Sequence, residues 1–259
     1  MPGWTLVDTH PTQGRTFQRP LCEFALGFLW ESFINGNGDA LYYHELCLSD
    51  GSRDVQLFSE PNIVRAWVST KRRYPLAGAT IRGAHDTPLV KVATGFESEP
   101  HFVVREHDLT VVRPGEIVFG QVTGAEEAQR QAAMMMHEPR QLSEELLVQL
   151  YAFRETDSVR THVLHLMLLM AHCVSDEIAA KTFVRCLLDT LARGDAPEPA
   201  QIPFEERLAT TISSTDLQPA HLRSFSPAVQ RWRRAVGMVI FRLRIEKIKV
   251  GVAFSSCRL

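Results

Sequence analysis

The sequence predicts an α/β protein, a mixed β-sheet with helices packed on it, and three observations lead to that class. β-rich and helix-periodic segments alternate along most of the chain. The segment Thr161 to Ala171 is nearly continuous in apolar residues, which marks a strand covered on both faces. Immediately after it, Ala180, Phe183, Val184, Leu187, Leu188 and Leu191 recur at steps of three and four, the pattern of an amphipathic helix.

Taken in order, residues 1–37 read as an irregular segment, with Pro2, Pro11 and Pro20 and the turn-forming run Asn35-Gly36-Asn37-Gly38. Ala40 to Leu48 is rich in strand formers and stops at Asp50-Gly51. A helix follows: Ser59 suits the N-cap, Pro61 the first turn, and Ile63, Val64, Trp67 and Val68 fall on one face. Lys71, Arg72 and Arg73 complement the negative end of its dipole, and Pro75 stops it. Ala79 to Arg82 and Pro88 to Thr94 then read as a hairpin, and His101 to Glu106 and Glu116 to Thr123 as further strands. Glu126 to Met136 is a largely polar surface helix ending in Met134-Met135-Met136, which reads as core filler. Glu145 to Arg154 and Thr161 to Ala171 are two more strands. Ser175 suits the N-cap of the last helix, with Asp176 and Glu177 in its first turn.

These elements divide the chain into an irregular segment over 1–37, a principal domain over 38–193, a Pro-rich linker over 194–221 and a basic tail over 222–259. The tail carries nine Lys and Arg against one acid, Glu246, while the whole chain has a formal charge of −2. The body is therefore acidic and attracts the tail. Val229, Trp232, Val236, Val239 and Ile240 form an apolar stripe beside Arg231, Arg233 and Arg234. That pattern fits packing on the body, the opening of a second half-domain, or binding of anionic lipid or RNA.

Composition excludes several classes. Among 259 residues, 45% are hydrophobic and 22% charged, which rules out a largely disordered chain. The near-neutral overall charge gives no general pull toward nucleic acid. Five cysteines without a Cys-x-x-Cys pair read as reduced thiols, and with no visible secretory signal the expected location is the cytoplasm. No apolar stretch is long enough for a transmembrane helix. His162 and His165 point to opposite strand faces, so no metal site is expected, and Cys173 reads as a buried structural thiol. Gly-rich nucleotide loops and the Gly-x-Ser-x-Gly elbow are absent from the sequence.

One constellation carries chemistry. In Met170-Ala171-His172-Cys173-Val174-Ser175-Asp176-Glu177, a His-x-x-x-Asp element lies between the buried strand and the amphipathic helix. A histidine at a strand end has a rigidly held backbone and can project into a crevice. Near pH 7 its imidazole accepts a proton from a hydroxyl or an amine. Two readings of His172 stand side by side, general base and hydrogen-bonded structural residue. Asp176 could pair with His172, serve the helix dipole or meet a buried arginine; a structural role is favoured.

The strand, His172-x-x-x-Asp176 and helix resemble the His-His-x-x-x-Asp-Gly motif of the chloramphenicol-acetyltransferase-like superfamily, which includes condensation domains and BAHD-type and fungal acyltransferases. Upstream, the helix ending in Lys71-Arg72-Arg73-Tyr74-Pro75-Leu76 and running into Ala79-Thr80-Ile81 is similar to that family's first helix, Pro-Leu turn and next strand. The resemblance covers roughly residues 38–195 and implies the N-terminal half of the family's fold. It further implies a transferase that moves an acyl group from acyl-CoA, a cosubstrate and not a tightly bound cofactor, to a hydroxyl or amine of a small molecule in secondary metabolism. His172 would be its general base and Asp176 would hold the loop in shape; no residue is assigned to CoA. This chain has Ala171 for the family's first histidine and Glu177 for its glycine, and it lacks the Asp-Phe-Gly-Trp-Gly motif of the second half. A non-catalytic, truncated relative that binds a partner, a complementing half-domain or another copy of itself is the competing expectation.

Overall fold

The computed structural model describes residues 3–12, 14–35, 39–48, 55–83, 100–137, 140–156, 162–175, 177–194 and 203–210, with residues 232 and 239. The chain forms two compact units, residues 1–87 with 97–216, and residues 88–96 with 217–259. In the second, the two described residues, Trp232 and Val239, are helical and exposed. The strand expected at Pro88 to Thr94 and the rest of the basic tail lie outside the described residues.

Two four-stranded sheets organise the first unit. Strands β1 (Thr5–His10), β2 (Gly14–Pro20), β4 (Thr80–Arg82) and β5 (His101–Arg105) form an antiparallel sheet in the order β1-β2-β5-β4. Strands β3 (Asp39–Leu48), β6 (Ile117–Val122), β7 (Val148–Glu155) and β8 (His162–Ala171) form the mixed sheet, in the order β3-β8-β7-β6. Only β6 and β7 run parallel in it, and helix α3 (Ala125–His137) lies between them in sequence, as a parallel connection requires. The α/β class and mixed sheet read from the sequence are both present, with an antiparallel sheet beside them.

The segment expected to be irregular holds β1, β2 and helix α1 (Glu23–Asn35). The two strands escape a pattern search because β1 is exposed at every residue and β2 buries only Phe17 and Arg19. Their order comes from pairing: β2 matches β5 from Thr16↔Arg105 to Pro20↔His101. The expected linker holds helix α5 (Phe204–Thr210), which buries Phe204 and Leu208. Phe204 sits edge-on to Phe17 at 5.3 Å.

Helix α2 (Glu60–Arg73) starts as its sequence requires, with the Ser59 hydroxyl accepting from Asn62 N–H and a proline in the first turn. It packs against helix α4 (Glu177–Ala192) through Trp67 and Phe183, whose rings meet edge-on at 5.8 Å. Asn62 Nδ2 donates to Leu191 O and Arg65 Nη2 to Thr190 O, so two α2 side chains satisfy the carbonyls left open at the end of α4. The apolar stripe of α4 faces inward, with Ala180, Phe183, Val184, Leu187 and Leu191 buried.

Lys71 does not lie at a solvated helix end. It is fully buried, and its Nζ donates to Glu116 Oε2 at 2.6 Å and to Val111 O at 2.6 Å. The Glu116 carboxylate, also fully buried, accepts from Trp67 Nε1 (3.1 Å), Arg113 N–H (3.1 Å) and Arg113 Nε (2.7 Å). Gly78 closes this region: a Cβ there would stand 2.6 Å from the buried Leu109 side chain, so the turn over Pro75–Gly78 needs a residue without one. The methionines differ from expectation as well. Met134 and Met136 are exposed and only Met135 packs against the core, because consecutive helix positions face different ways.

Candidate active site

Among the described strands, the one that carries the candidate base has the longest buried run. In β8 every residue from Leu164 to Ala171 is buried, since β3 and β7 flank it and helices cover the sheet. The backbone leaves the sheet at His172 in a turn closed by Val174 N–H donating to Ala171 O. That turn places the half-buried imidazole just beyond the strand end. Ala171, where the resembled motif has its first histidine, is fully buried and pairs with Asp39.

Two contacts fix the ring. His172 Nδ1 lies 2.8 Å from Ser175 O. A carbonyl can only accept, so Nδ1 carries the hydrogen and the neutral ring keeps its lone pair on Nε2. Among the described residues no group bonds Nε2. The Phe28 ring from α1 stacks on the imidazole with centroids 3.9 Å apart and planes 12° from parallel. The arrangement can take a proton at Nε2 and hold the resulting imidazolium through Nδ1–H.

Asp176 lies outside the described residues, so its role in shaping the loop stays a proposal. Helix α4 begins at Glu177. Ser175 stands two positions before it, and its carbonyl orients His172. Glu177 turns along the exposed face of α4 to Lys181 at 2.6 Å, and this hydrogen bond lowers its carboxyl pKa. Cys173 is buried, and burial pushes its thiol up to about 12, which keeps it protonated and inert. Beside it runs the Asp39–Arg140 pair, bonded at 2.8 and 3.0 Å.

His165 shares no surface with His172. It is fully buried, with Tyr43 Oη 2.9 Å from Nδ1 and Glu155 Oε1 3.0 Å from Nε2. With Glu155 ionised, Nε2 donates to it and Nδ1 accepts from the Tyr43 hydroxyl. Both ring nitrogens are occupied, which makes His165 a cross-brace of the mixed sheet. His162 is exposed at the start of the same strand.

Phe28 is the site residue that sequence reasoning missed. Its helix is apolar on several sides, with Ala25 and Leu29 buried and Leu26 and Phe28 packed against the core, so no single stripe announces it. Nothing local in residues 1–37 connects to a turn nearly 150 residues later.

No protein-family model matches the sequence, and no curated protein matches it. Solved structures do. The trichothecene 15-O-acetyltransferase TRI3 of Fusarium sporotrichioides superposes with a TM-score of 0.51 at 15% identity, over 80% of this chain and 41% of that one. The condensation domain of the monacolin K polyketide synthase MokA superposes with a TM-score of 0.50 at 12% identity, again over 80% and 41%. The chain therefore has the chloramphenicol-acetyltransferase-like fold, the one its sequence resembles. It spans about two fifths of the length of these structures. Among the described residues no helix is long and apolar enough to cross a membrane.

Proposed function

We propose that the protein is an acyltransferase that moves an acyl group from acyl-CoA to a hydroxyl or amine of a small molecule, with His172 as the general base. The observation that carries this reading is the Nδ1–H bond to Ser175 O, which leaves the Nε2 lone pair as the ring's proton acceptor. As the acceptor oxygen or nitrogen attacks the thioester carbonyl, Nε2 takes its proton. When the tetrahedral intermediate collapses, the C–S bond breaks and Nε2 returns the proton to the departing CoA thiolate. No covalent acyl-enzyme is needed. Asp176 shapes the loop. The acyl and acceptor sites are completed by a second half-domain, in keeping with matched proteins more than twice as long as the matched region. Release of free CoA thiol from acyl-CoA, with and without a pool of alcohols and amines, tests the reading. His172→Ala abolishes acceptor-dependent release; a variant as fast as the unmodified chain refutes the assignment.

A non-catalytic relative is the second reading, supported by Ala171 and Glu177 at motif positions. It gives no His172-dependent thiol release and associates with itself or a partner. A monomer by light scattering, with no dye-binding apolar surface, counts against it.

A further inference from the structure

We infer that Phe28 is the positioning residue of the His172 imidazole, holding the ring in the orientation that presents Nε2; its catalytic consequence rests on the acyl-transfer reading above. The Ser175 carbonyl alone leaves the imidazole free to tilt about the Nδ1–H bond. The Phe28 ring removes that freedom by covering one face at 3.9 Å and 12°. The position of Phe28 is itself secured, since its carbonyl accepts from the Ser32 hydroxyl one turn along α1 and its side chain packs against the core. The Nε2 lone pair lies in the ring plane, so the covered face leaves the acceptor's approach along the ring's edge open.

Among the described residues, Asp39 beside this turn is held by Arg140 and Glu177 by Lys181.

Histidine side-chain NMR of the full chain tests this without any need for turnover. In the unmodified chain the His172 ring protons are shifted upfield by the Phe28 ring current, and the nitrogen shifts report the Nδ1–H tautomer. Phe28→Leu abolishes the upfield shift and mixes the tautomers; Phe28→Trp, which keeps an aromatic face, restores both. In the thiol-release assay Phe28→Leu lowers kcat by about tenfold with little change in KM. A Phe28→Leu protein whose His172 ring shows the same proton shifts and the same tautomer as in the unmodified chain overturns the inference. If that variant does not fold, random-coil ring-proton shifts in the unmodified chain overturn it instead. An NMR response as expected, in a protein with no His172-dependent thiol release, upholds the positioning role and refutes the acyl-transfer reading.

Discussion

Replacing either member of the buried Lys71–Glu116 pair destabilises the protein, but the two replacements are unequal, and the structure sets the order. Four donors from three side chains and one backbone amide converge on the Glu116 carboxylate. Glu116→Gln turns one accepting oxygen into an NH₂ group that faces some of those donors. It also leaves the Lys71 ammonium with Val111 O and no hydrogen-bonded counter-charge. Breaking a buried pair from this side costs about 3–5 kcal/mol. Lys71→Met is milder: Glu116 keeps Arg113 and Trp67, so the anion stays paired, and the loss is about 1–3 kcal/mol of charge-assisted hydrogen bonding. With a urea slope of about 2 kcal/mol/M, the unfolding midpoint falls by about 2 M for Glu116→Gln and about 1 M for Lys71→Met at an unchanged slope. Equilibrium urea unfolding at neutral pH measures both. A Lys71→Met midpoint as low as that of Glu116→Gln, or lower, refutes the claim that the carboxylate is the hub.

Two further outcomes follow from the electrostatics. Hydrogen bonds from Arg15 hold the Glu106 carboxyl pKa below its ordinary value. The folded state thus binds this proton less readily than the unfolded one. The stabilisation is present above the unfolded glutamate pKa of about 4.3 and is lost as pH falls through the lower folded value; Arg15→Met moves the acid-unfolding midpoint up, and an unmoved midpoint would count against the pairing. Thiol alkylation followed by peptide mass spectrometry labels exposed Cys47 in the native state and leaves Cys173 untouched until unfolding. Early labelling of Cys173 would show that the turn beside His172 opens to solvent.

Elements whose burial is one-sided or complete were legible in the sequence. The apolar run of β8, the α4 stripe and the Ser59 cap of α2 each impose a period or a punctuation mark, and each appears within a residue or two of its expected bounds. Elements ordered by distant partners were not. β1 has no buried residue, β2 is defined by its register with β5, and α5 sits in a proline-rich stretch because Phe204 and Leu208 have a core to enter. Lys71 illustrates the same limit at one residue. A basic side chain in the last turn of a helix looks solvated until Glu116, 45 positions away, is brought beneath it. At the site, the strand-turn-helix placement of His172 was readable, whereas its two ring contacts were not. Phe28 lies in another element, and Ser175 acts through a backbone carbonyl that its side chain does not reveal.

The strand order of the mixed sheet has a kinetic consequence. β3 pairs with β8, and more than a hundred residues separate Leu48 from its partner His162. At about 5–20 residues per second, a ribosome exposes β3 roughly ten seconds before β8 emerges. During that interval Leu41, Tyr42 and Tyr43 form an unpaired, apolar strand, the kind of surface that chaperones and other nascent chains bind. β8 also pairs with β7 on its other side, so its arrival zips three strands together. The turn that carries His172 follows directly, which makes the candidate base one of the last parts of this sheet to acquire its neighbours during synthesis.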